Sequence, residues 1–74
     1  MPVLSGHDLV KLLSKAGFVA AGQRGSHVKL KKRLSDRVLV TVVPLHKALD
    51  VGTLLGILRQ AEVSREDFLQ LLEK

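Results

Sequence analysis

"SHVKLKKRLSDRVLVTVV", residues 26–43, is the stretch that decides the fold. From Ser26 to Lys31 polar and apolar side chains alternate strictly, so Val28 and Leu30 point to one side of a strand while His27, Lys29 and Lys31 point to the other. The run from Arg37, "RVLVTVV", is dense in β-branched residues that suit a pleated surface, and Pro44 stops it. Only "LSD", residues 34–36, separates the two runs, a connection short enough for antiparallel pairing and nothing else.

Upstream, residues 18–23 form a further expected strand, with Gly25 as the turn residue leading into the strand at 26–33; the third runs over 37–43. Before these strands lies a helix with clear start and stop signals. Ser5 and Asp8 make an S-x-x-D capping box, flanked by Leu4 and Leu9 as the hydrophobic staple. Leu9, Leu12, Leu13 and Ala16 give one buried stripe. Gly17 ends the helix in left-handed geometry, and Phe18 folds back onto Leu13. Downstream, "HKALDV" reads as a connector, and Gly52 and Thr53 start a second helix, "LLGILRQA". A third helix begins at Ser64, with a second box to Asp67, a second staple from Val63 to Phe68, and Leu69, Leu71 and Leu72 on its apolar side. The order α-β-β-β-α-α implies an α+β domain whose antiparallel sheet is covered by helices on one face and carries His27 on the open one.

Seventy-four residues make a single domain, spanning 1–74, with apolar material for one core and little to spare. Without cysteine there are neither disulfides nor thiolate metal sites. The opening "MPVLSGHDL" lacks an apolar run behind basic residues, so no signal peptide is expected. No apolar run approaches the roughly 20 residues of a membrane span. A soluble, cytoplasmic protein with no membrane partner is the expectation.

A net charge of +5 and a pI near 10.1 point to a polyanionic partner. The charge is uneven. Arg24, Lys29, Lys31, Lys32, Arg33 and Arg37 crowd one segment opposed only by Asp36, which argues for one basic face. There is no phosphate-binding glycine loop, no dinucleotide fingerprint, no H-E-x-x-H and no G-x-S-x-G elbow. His46 and Asp50 are four apart, but two ligands do not make a metal site. No metal and no cofactor are expected.

The histidines remain. His7 reads as a solvated residue in a first helical turn, and His46 as a histidine tied to loop backbone with a possible auxiliary role. His27 suits RNA cleavage, which needs a base for the ribose 2′-hydroxyl, an acid for the leaving oxygen and positive charge around phosphorus. Lys29 and Lys31 hold the phosphate, and backbone N–H groups around Gly25 and Ser26 approach it closely. The residues alone leave two other readings open for this face: a non-catalytic RNA-binding module, and a domain docking an acidic protein. With no Trp or Tyr, and both phenylalanines engaged at helix ends, base stacking is not expected.

Taken in order, "SGHDLVKLLSKAGF" (5–18), "RGSH" (24–27), "VPLH" (43–46) and "VGTLLGILRQAEVSREDFLQLL" (51–72) make the chain resemble the HicA family of toxins from bacterial and archaeal toxin–antitoxin pairs. The resemblance implies a double-stranded-RNA-binding-domain-like fold and an mRNA interferase that arrests translation. It also implies neutralisation by a HicB-type antitoxin, with DNA engaged only indirectly, through that antitoxin. The family's catalytic histidine, in its G-[SG]-H motif, falls on His27; Arg24, Gly25, Ser26, Lys29 and Lys31 are the expected RNA-binding residues. Two positions depart from the pattern: Leu55 stands where members often carry a basic residue, and Glu62 where many carry glycine.

Overall fold

A computed structural model describes residues 3–73. Its elements are α1 (Gly6–Lys15), β1 (Val19–Arg24), β2 (His27–Arg33), β3 (Val38–Pro44), α2 (Val51–Gln60) and α3 (Arg65–Glu73). The three strands form one antiparallel sheet in the order β1-β2-β3. This is the α+β topology expected of a double-stranded-RNA-binding-domain-like fold with one extra helix.

The capping box of α1 is formed in both directions. Ser5 Oγ accepts from the Asp8 N–H at 3.0 Å, and the Asp8 carboxylate accepts from the Ser5 N–H at 3.2 Å. Those Ser5 bonds, the backbone one foremost, hold the Asp8 carboxyl below its ordinary value. At the other end Gly17 takes φ 101°, and the Phe18 N–H donates to the Leu13 carbonyl at 3.0 Å, which drives Phe18 into the core.

Alternation along the strands then decides what is inside. Val28 and Leu30 of β2 and Leu39, Thr41 and Val43 of β3 are buried, while the residues between them face solvent. They pack against Leu9 and Leu13 of α1, Leu54, Ile57 and Leu58 of α2, and Phe68 of α3. Among the described residues Thr41 is the one buried polar side chain, and its hydroxyl donates to Gln60 Oε1 at 2.8 Å, so its burial leaves no donor stranded. The helices pack on β2 and β3, leaving every residue of β1 exposed along one edge.

Three local expectations are corrected. α2 begins at Val51, because Asp50 is its N-cap: the carboxylate accepts from the Thr53 N–H at 3.0 Å and from the Thr53 hydroxyl at 2.7 Å. The apolar side of α3 is Phe68, Leu71 and Leu72, at i, i+3 and i+4, while Leu69 lies a third of a turn away and is exposed. At the start of α3, Ser64 Oγ accepts from the Asp67 N–H at 3.1 Å, which is one half of the expected box.

Glu62 follows the end of α2 in left-handed geometry, φ 54°, where glycine would carry no strain. Its carboxylate receives the Arg37 guanidinium, from Nε at 3.1 Å and also from Nη2, while Arg37 Nη1 reaches Asp36 at 2.8 Å. This ion pair ties the β2–β3 turn to the end of α2.

Candidate functional site

The site begins at the two-residue loop joining β1 to β2. Gly25 has φ 58° while Ser26 does not enter positive φ, the pattern of a type II′ hairpin turn. The turn is so tight that Arg24 and His27 face each other directly across the ladder, and Pro44 of β3 faces His27 from the other side. Directly opposed residues share a face, with Cβ atoms about 4.5–5.5 Å apart, so the Arg24 side chain is the cross-strand neighbour of His27. Gln23 Nε2 donates to the Gly25 carbonyl at 3.0 Å and braces the loop.

Along β2, His27, Lys29 and Lys31 are all exposed, as the alternation predicts, and Arg33 continues the row. Register sets Lys29 between Gly22 and Val42, Lys31 between Val19 and Val40, and Arg33 opposite Val38. A cationic central strand thus lies beside a half-exposed valine stripe on β3. No acidic residue occurs in β1, β2 or β3, so nothing on these strands offsets the positive field. An open cleft of about 430 Å³ lies over this end of the sheet, lined by Gly22, Gln23, Arg24, His27, Lys29 and Val42. A bulge between Ala20 and Gly22 inserts one extra residue and resets the register there, which puts side-chain-free Gly22 beside Lys29.

Two members of the basic segment point elsewhere. Lys32 is half-buried on the helix side, its stem against Gly17 and its ammonium 5.9 Å from the Phe18 ring centroid. Arg37 is engaged by Asp36 and Glu62. The basic face is therefore narrower than composition suggests: Arg24, Lys29, Lys31 and Arg33.

His46 comes to the same place by a separate route. Beyond Pro44 the Leu45 N–H donates to the Ser26 carbonyl at 2.6 Å, which extends the sheet past the end of β3. The His46 carbonyl accepts from the Gly6 N–H, at 2.8 Å. Gly6 itself is buried against this segment so closely that a Cβ there would lie 2.0 Å from the Pro44 carbonyl oxygen. Only the main chain of His46 is held by these bonds; its ring is exposed with its centroid 6.5 Å from that of His27, the two planes at 74°.

Sequence reasoning placed His27, Lys29 and Lys31 together through the period-two pattern, and Gly25 through turn chemistry. It did not place Gly22, Gln23 or Val42 in the cleft, since a bulge and a cross-strand register carry no local signal. His7 is exposed in the first turn of α1, as expected. Among the described residues no three His, Asp or Glu side chains gather as a metal site. Nor is any described helix long and apolar enough to cross a membrane.

Comparison with curated proteins gives no match to the chain. The family model described as HicA toxin of bacterial toxin–antitoxin matches residues 6–63, from the start of α1 past the end of α2.

Proposed function

Because this chain belongs to the HicA toxin family of bacterial toxin–antitoxin systems, we propose that it is an endoribonuclease that cleaves mRNA without a metal and so arrests translation. The observation that carries the reading is the exposed His27 in an open cleft, flanked by Arg24 across the ladder and Lys29 along the strand. An imidazole titrates near neutrality and serves as base or acid at cellular pH. Arg24, Lys29 and Lys31 hold successive stretches of the phosphate backbone and stabilise charge gathering around phosphorus. The tight turn at Gly25 and Ser26 lets the chain approach backbone to backbone. His27 moves the proton, and the cations supply what a metal would otherwise supply to the phosphate.

The described residues present no aromatic stacking platform, since Phe18 and Phe68 are buried in the core. Recognition on this face accordingly rests on phosphate and sugar. The partner that restrains the toxin is a HicB-type antitoxin, and DNA is reached only through it. The substrate places the protein in the cytoplasm. The test is incubation of RNA with the purified protein in excess chelator, beside His27→Ala. Cleavage by the parent alone supports the reading. Cleavage that requires added magnesium or zinc, or equal cleavage by both proteins, refutes it.

A further inference from the structure

The ribonuclease reading engages one of two imidazoles that stand side by side at the end of the sheet. The second, His46, is nineteen positions further along the chain, and two backbone hydrogen bonds place it: Leu45 N–H to Ser26, and Gly6 N–H to the His46 carbonyl. Both anchors are main-chain, so they hold the segment in place while leaving the imidazole itself available. The edge-to-face contact with His27, at 6.5 Å between centroids, sets the His46 ring beside the cleft that His27 lines.

We infer that His46 is the second proton-transfer group of this site. The inference rests on the ribonuclease reading and completes its chemistry. Cleavage by internal attack forms a bond from the ribose 2′-oxygen to phosphorus as the bond from phosphorus to the 5′-oxygen breaks. One proton must leave the 2′-hydroxyl and another must reach the departing 5′-oxygen. One neutral imidazole accepts the first while one protonated imidazole donates the second. The products are a 2′,3′-cyclic phosphate and a 5′-hydroxyl, with no water or redox partner consumed. At 6.5 Å between centroids the ring nitrogens are too far apart to bond each other. Each is close enough to reach, at about 2.6–3.2 Å, one oxygen of a phosphate lodged between them.

The surroundings point to the same residue. The charged and titratable groups nearest in register or in chain are Arg24, Lys29, Lys47, His7, Asp8 and Asp50, and the two carboxylates are engaged as helix caps by Ser5 and Thr53. Arginine and lysine ordinarily stay protonated at neutral pH and serve as phosphate clamps rather than proton relays. The sheet strands offer no carboxylate. Of the two remaining histidines, His46 is the one in ring contact with His27.

The experiment is single-turnover cleavage, across pH, of an RNA oligonucleotide that the parent protein cleaves. Parent, His46→Ala and His46→Gln are compared, on that RNA and on one with sulfur replacing the scissile 5′-oxygen, which departs without a proton. Both variants keep the parent's circular dichroism, because the anchors of this segment are main-chain. Both cleave the ordinary RNA about 10²–10⁴-fold more slowly and lose one limb of a bell-shaped pH profile. Recovery on the sulfur-substituted RNA makes His46 the acid; a persistent defect there, with a lost limb, makes it the base. Parental rates, a loss confined to RNA affinity with both limbs intact, or unfolding of both variants each overturn the inference. A parent that cleaves no RNA refutes the ribonuclease reading itself, a failure seen before any His46 variant is made.

Discussion

Gly6→Ala and Gly56→Ala put the same extra methyl into two helices and should move stability in opposite directions. Alanine is the better helix former by up to about 1 kcal/mol in a helix interior, and Gly56 sits inside α2 with no atom within 4 Å of its added Cβ. Gly56→Ala should therefore stabilise the fold by several tenths of a kcal/mol up to about 1. At Gly6 the added Cβ lies 2.0 Å from the Pro44 carbonyl oxygen and 2.7 Å from Leu45 Cα, and both are backbone atoms that cannot rotate aside. The first turn of α1 must back away from the end of β3. Overpacking of that kind costs about 1–3 kcal/mol. The retreat also stretches the Gly6–His46 hydrogen bond, worth about 0.5–1.5 kcal/mol. Set against a propensity gain of at most about 1, the net loss is about 0.5–4.5 kcal/mol, and at its midpoint of about 2.5 the Tm falls by about 10–20 °C for a domain of this size. Thermal melts followed by circular dichroism read both changes. If Gly6→Ala melts at or above the parent temperature, α1 does not press on the β3 end as described, and the account of how His46 is held fails with it.

The basic strand predicts a salt signature: RNA affinity should fall with a log–log slope of about −0.7 per phosphate contact on single strands. Lys29→Gln with Lys31→Gln should make that slope shallower by roughly 1–1.5 units and weaken all sequences alike; an unchanged slope removes these lysines from the interface. The Glu62–Arg37 pair predicts an acid signature. Arg37 hydrogen bonds hold the Glu62 carboxyl below its ordinary 4.5, so the pair's contribution is complete above that value and is lost as pH falls through the lower folded value. Melts between about pH 5 and 3 should be less pH-sensitive in Glu62→Gln than in the parent, and equal sensitivity would place no stability in this pair.

The parts of the fold legible in the sequence are those decided by neighbours a few residues apart. The Ser5–Asp8 box, the Gly17 stop and the alternation in β2 each need only local geometry, and each is present. The alternation also divides the strand's two faces, setting His27, Lys29 and Lys31 opposite Val28 and Leu30. Asp50 caps α2 through Thr53, three residues on as Asp8 is from Ser5, yet "HKALDV" reads as a connector because its apolar residues have no period. Leu69 reads with Leu71 and Leu72 as one apolar run, yet helical spacing turns it outward. Illegible features are tertiary. The approach of His46 to His27 runs through a Ser26–Leu45 bond, and the left-handed Glu62 is held by Arg37 from twenty-five residues away. Neither leaves a mark in any short window.

The central claim is that His27 moves a proton during RNA cleavage, and the most direct measurement is the single-turnover rate of His27→Ala against the parent in excess chelator. His27 is exposed and contributes nothing to the buried core, so the variant should keep the parent's circular dichroism and Tm while cleaving about 10²–10⁴-fold more slowly. A folded His27→Ala protein that cleaves RNA at the parent's rate would contradict the account.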